Sequence, residues 1–246
     1  MPLHVGLHKH AFWLYGVLIA LAIRQALLSV IPDIFKAFLE PSGHSENLQL
    51  ESARLFVFLV VTIRFFLGSV SFFEDAYEAE DADTLYPTKN YARDYIFGLI
   101  HFLFFFAWSL SIDAEQPKRL FPILLAFILF YDVPWYVAGK QYDTKRRMKL
   151  WANLNVATLL VAGFVYACAR LNGQTYGVAQ QWAFVPVVIV SVLDTAEIIG
   201  KKEIFKKWIG HIIDLKPQEA PRPANPPAPN PPPDLPPNPP APPANP

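Results

Sequence analysis

What this chain lacks narrows it first. It has a single cysteine, Cys168, so no intrachain disulfide can form and nothing marks the redox compartment. It has no excess of charge: 21 basic residues meet 21 acidic ones, and no overall field draws the chain to nucleic acid. Gly-x-Ser-x-Gly, His-Glu-x-x-His and Walker loops are absent, which removes the commonest hydrolase, metalloprotease and nucleotide signatures. No cluster of His, Cys or carboxylate residues has metal-ligand spacing, so neither a metal nor another cofactor is expected.

Long apolar runs, by contrast, are abundant. Ala11–Ile31, Ala53–Phe73, Tyr95–Ile112, Leu120–Ala138, Leu150–Ala169 and Trp182–Ile199 are almost purely apolar. Each is close to the ~20 residues a helix needs to cross ~30 Å of hydrocarbon. Buried helices of a soluble bundle would keep a polar face at helical period. Between Tyr95 and Trp108 only His101 offers one. Lys9 precedes the first run as in a signal peptide, but no small-residue cleavage site follows and Arg24 does, so an uncleaved span is expected. The fold class that follows is an all-α integral membrane protein with six transmembrane helices over residues 1–200.

The basic residues orient these spans. Fourteen fall at the N-terminus, in the second and fourth loops and at the C-terminus, including Lys140, Lys145, Arg146, Arg147 and Lys149. Lys36, Arg54, Lys118, Arg119 and Arg170 lie in or beside the alternate loops. This bias predicts cytoplasmic N- and C-termini in a cell or inner membrane. The tryptophans agree: Trp13, Trp135, Trp151 and Trp208 mark inner ends, Trp108 and Trp182 outer ends.

Residues 201–216 carry Ile204, Trp208 and Ile212 four apart, beside Lys201, Lys202, Lys206 and Lys207. This stripe predicts an amphipathic helix in the cytoplasmic interface, its Lys201–Lys207 segment on anionic lipid. Residues 217–246 hold sixteen of the 24 prolines and predict a disordered, partly polyproline tail, either a spacer or a ligand for a cytoplasmic protein partner.

Ionisable residues inside spans cost ~2.5–3.5 kcal/mol each on insertion scales and therefore need an explanation. Arg64 is placed near the midplane and Arg24 in the outer half; His101, Asp132, Asn155, Asp194 and Glu197 fall in the cytoplasmic half. The expected arrangement is one polar cluster or vestibule open to the cytoplasm. Asp132 stands two residues before Pro134, which frees the Phe130 carbonyl and favours a kink beside a carboxylate. Ser191, Asp194 and Glu197 share three-residue spacing on the last span.

Thr175-Tyr-Gly-Val178 is similar to a potassium-channel filter, but about a dozen residues join its flanking spans, too few for a pore helix and filter. No lysine lies within a span to form a Schiff base. Three readings follow. The first is a small permease, channel or channel-like effector working through the charged cluster. The second is a scaffold or accessory subunit whose charges only hold helices together, with Lys140–Lys149 and the tail meeting cytoplasmic partners; a homo-oligomer is compatible with either. The third is a membrane-embedded enzyme acting on a lipid or quinone, and without a nucleophile motif it comes last.

Overall fold

A computed structural model describes residues 3–39, 46–77, 88–113, 119–138 and 145–201, with side chains over 13–39, 48–73, 91–113, 119–138 and 148–200. Each apolar run forms the middle of a helix: α1 (Leu3–Leu39), α2 (Glu46–Tyr77), α3 (Thr88–Ser109), α4 (Leu120–Ala138), α5 (Lys145–Leu171) and α6 (Tyr176–Lys201). All six belong to one compact unit, Met1–Glu203. Several helices outrun their apolar windows, because extending a formed helix adds a backbone hydrogen bond for each residue fixed. Thus α1 continues through Pro32, and α2 starts seven residues before Ala53. The amphipathic helix and Pro-rich tail expected after Lys201 lie outside the described residues.

Among the described residues five helices are long and apolar enough to cross a membrane, over Trp13–Leu39, Leu48–Phe73, Leu120–Ala138, Met148–Leu171 and Tyr176–Gly200. The third helix falls short of the six-span expectation. Lys89, Arg93 and Asp94 occupy its first two turns, leaving Tyr95–Trp108 as the apolar part. The chain has the architecture of a multi-pass helical membrane protein.

The helices close a ring. α1 packs on α2, α2 on α6, α6 on α5, α5 on α4, α4 on α3 and α3 back on α1, while α2 also touches α3. The second helix is the most enclosed: 61% of its spanning segment is buried, against 17% in α5. Lipid is as apolar as these side chains, so close packing and polar contacts, rather than water exclusion, hold the ring. Phe38, Phe164 and Leu193 stand exposed on its outer surface, where a bilayer would cover them.

Two glycines set helix spacing. At Gly68 of α2 an added Cβ would fall inside the Trp151 ring of α5; at Gly98 of α3 it would meet the Tyr15 hydroxyl at 2.6 Å. Tyr15 uses that proximity, donating its hydroxyl to the Tyr95 carbonyl at 2.8 Å. Between α5 and α6 the chain reverses through Gly173, whose φ of 76° suits a residue without Cβ. Gln174 N donates to the Ala169 carbonyl and Gly173 N to that of Arg170, a paired helix-ending pattern. Thr175 then caps α6, its Oγ1 accepting from Val178 N at 3.4 Å. The Thr-Tyr-Gly-Val stretch is therefore a helix start.

Candidate functional site

Five of the six helices send polar side chains to one buried cluster. Arg64 (α2), His101 (α3), Asp132 (α4), Asn155 (α5) and Asp194 (α6) are all buried, with Arg64, His101 and Asn155 at 1% exposure or less. Arg64 Nε donates to Asp194 Oδ2 at 2.6 Å, and Trp151 Nε1 donates to Asp194 Oδ1 at 3.2 Å. Both carboxylate oxygens of Asp194 are thus engaged. The Arg64 guanidinium also lies over Phe65 and Trp151, 5.2 and 5.9 Å from the ring centroids.

Asp132 is held differently. Asn155 Nδ2 donates to its Oδ2 at 2.6 Å, whereas His101 Nδ1 stands 3.8 Å from Oδ1, beyond hydrogen-bond reach. Asp132 lies within electrostatic range of both Arg64 and Asp194, so the two carboxylates and the arginine form one charge system. His101 is walled by Phe65, Phe105 and Tyr131, with ring centroids 4.8, 5.4 and 5.1 Å away.

Several polar atoms in and beside this cluster have no hydrogen-bond partner among the described residues: Arg64 Nη1 and Nη2, His101 Nε2, Asn155 Oδ1 and, one turn from Asp194, Ser191 Oγ. An unmade bond at a buried polar group costs ~1–3 kcal/mol, so these atoms are the ones in this region with hydrogen-bonding capacity to spare. Beside it lies a cavity of about 20 Å³ lined by Gly68, Ser69, His101, Asp132, Met148 and Trp151. About 10–15 Å³ of such space holds one water.

Toward the end where α3 begins, the polar groups continue. Trp135 Nε1 donates to Asp94 Oδ1 at 3.2 Å, Arg93 pairs with Asp94 at 2.7 Å, and Arg93 Nη1 reaches the Ala138 carbonyl at 2.9 Å. Toward the α5–α6 end they stop. Phe58, Val61, Phe105, Trp108, Phe121, Phe184 and Val187 are all buried there. Their rings interlock, as in Phe58–Trp108 at 5.2 Å, Trp108–Phe121 at 4.9 Å and Phe121–Phe184 at 5.5 Å.

Beyond this apolar layer is a second polar node that sequence reading passed over. Arg54, fully buried, donates to the carbonyls of Ile112 and Asp113 and to Gln180 Oε1, at 3.3, 3.4 and 3.3 Å. Its signal was the place of Arg54 within the apolar Leu48–Phe73 stretch rather than before it. The remaining expected residues lie elsewhere. Glu197 and Arg24 are exposed, and Pro134 sits on the exposed side of an α4 that runs on through it as helix. Among the described residues no three His, Cys, Asp or Glu side chains converge as a metal would require. Comparison with protein-family models, curated proteins and solved structures finds no match to this chain.

Proposed function

We propose that this chain is a small membrane permease or channel whose working site is the Arg64–His101–Asp132–Asn155–Asp194 cluster. The observation that carries the reading is the gathering of these five groups from five helices with so many buried donors and acceptors left unmade. A network serving only to fix helix packing would complete its bonds, as the Arg64 Nε–Asp194 contact does. On the topology read from the basic loops, Arg93, Asp94 and Trp135 lie on the cytoplasmic side of this cluster. The aromatic layer beyond Arg64 closes the other side, and on this reading the cluster is the inner vestibule of a pathway shut by that layer.

Within it the two carboxylates divide the work. Asp194, engaged at both oxygens, positions Arg64. Asp132, held on one oxygen by Asn155, is the group free to bind a cation or accept a proton from the vestibule.

The test is reconstitution of the full chain in liposomes, with proton, alkali-cation and chloride flux measured for wild type, Asp132→Asn and Arg64→Gln. Flux in the wild type that is abolished in Asp132→Asn, with that variant still folded, supports the reading. No flux of any of these ions, together with loss of stability on each neutralisation, would overturn it in favour of a scaffold held together by its charges.

A further inference from the structure

A separate cavity of about 400 Å³ opens between α4, α5 and α6 at the α5–α6 end, well inside the range of ~300–1,000 Å³ typical of ligand sites. Its deep walls are apolar, built from Ala126, Leu129, Leu159, Gly163 and Val187 among others. Its rim is cationic: Arg119 directly precedes α4 and Arg170 ends α5, and both line the cavity with Tyr166 and Tyr176. Arg170 is fixed in place by the α5–α6 turn, its Nη1 donating to the Gln174 carbonyl at 2.7 Å.

Three features define the occupant. Two guanidinium groups at the mouth select a negative head, since arginine matches phosphate oxygens in a planar fork. Gln180, 1% exposed and lining the same cavity, gives its Oε1 to Arg54, while its Nε2 has no partner among the described residues. An unused donor in the wall favours an oxygen-bearing molecule over a bare hydrocarbon. Depth supplies the third. From Arg119 to Leu129, from Arg170 to Leu159 and from Tyr176 to Val187 the walls descend ten or eleven residues. At ~1.5 Å per residue that is ~15 Å, half the ~30 Å hydrocarbon layer and therefore the length of one leaflet's acyl chain.

We propose that this cavity is a binding site for an anionic phospholipid of the leaflet at the α5–α6 end. The phosphate sits between Arg119 and Arg170, an ester oxygen faces Gln180, and one acyl chain runs along Ala126, Gly163 and Leu129. The proposal is independent of the transport reading, because none of the five cluster residues lines this cavity.

The experiment uses the full chain delipidated in neutral detergent, titrated with phosphatidylglycerol or phosphatidylcholine, with bound lipid counted by intact-complex mass spectrometry and melting temperature recorded. One phosphatidylglycerol should be retained per chain and raise the melting temperature, with no such effect from phosphatidylcholine. Arg119→Gln with Arg170→Gln should weaken phosphatidylglycerol binding about tenfold or more, through loss of two charges at the headgroup. Since the Arg170 change also touches the turn, Gly163→Leu provides a second variant. A Cβ at Gly163 meets nothing within 4 Å, so this side chain enters the cavity without displacing backbone, and it should abolish retention while the lipid-free melting temperature holds. Equal retention of both lipids, full displacement by inorganic phosphate alone, or unchanged binding in both variants would overturn the site.

Discussion

Arg64 and Asp194 close a 2.6 Å ion pair between α2 and α6 while the two terminal guanidinium nitrogens of Arg64 find no acceptor among the described residues. The arginine is thus anchored through Nε and presents Nη1 and Nη2 as spare donors. Asp194, which also accepts from Trp151 Nε1, thus fixes where the Arg64 side chain lies.

Breaking this pair from one side should be costly. Asp194→Asn or Arg64→Gln alone strands a charge out of water, a loss of ~3–5 kcal/mol, whereas the double substitution should recover much of it. Unfolding of all four proteins in detergent gives the coupling energy of the cycle. Strictly additive losses would show that the pair makes no energetic contact and that Arg64 is held by its aromatic neighbours instead.

Gly68 should tolerate nothing larger. A Cβ there must displace the Trp151 ring, which also supplies the second hydrogen bond to Asp194. Gly68→Ala is expected to destabilise by ~1–3 kcal/mol, the usual range for overpacking. Trp151→Phe in the same background should restore part of the stability, because the clash is with Cη2, Cζ2 and Cζ3 of the indole, the outer ring that phenylalanine lacks. Neutral behaviour of Gly68→Ala in a thermal melt would mean that α2 and α5 can slide apart, contrary to the packing described.

How far the chain could be read without coordinates depended on whether lipid or neighbours decided the matter. Apolar run length located the middle of every helix, since that signal needs no partner. The third helix shows its limit: His101 sits in a run as apolar as the others, yet Arg93 and Asp94 shorten that run from the other side. Depth likewise grouped His101, Asp132, Asn155, Asp194 and Glu197, with Arg64 nearer the midplane, because 1.5 Å per residue fixes height in a span. Azimuth was not legible. Asp194 and Glu197 are three residues and only about 60° apart by helical geometry, but the first is buried and the second exposed. Deciding between them requires the ring order, which brings α2 against α6, and no periodicity in either helix encodes that order. Arg54 was obscured for a related reason: a basic residue at the edge of an apolar run looks like a loop anchor until Gln180 and Ile112 close around it.

Orientation is a separate expectation, carried by the basic loops and tryptophans alone. With Cys168→Ser as background, single cysteines at Gly43, Asp143 and Asn172 should divide on treatment of intact cells with a membrane-impermeant maleimide. Gly43→Cys and Asn172→Cys are expected to react and Asp143→Cys to stay protected until the membrane is opened. Reaction at Asp143→Cys alone would invert the map and place the Arg93–Asp94 mouth outside.

The aromatic layer between the two polar nodes yields the last expectation. Val61 is fully buried on α2, one turn from Arg64, and belongs to the stretch with Phe58, Phe184 and Val187 that separates Arg64 from Arg54. Apolar constrictions exclude ions by excluding water, so a hydroxyl at this height should wet the layer and lower the barrier. Val61→Thr is the mildest way to place one: it keeps the branched shape, and the new hydroxyl can bond back to the carbonyl four residues earlier, so the helix survives. In the liposome assay the variant should raise basal ion leak while Asp132→Asn added to it returns the leak toward background. An increase that ignores Asp132→Asn would mean that ions pass outside the cluster. No increase at all, in a variant that folds normally, would place the seal elsewhere and remove the aromatic layer from the pathway.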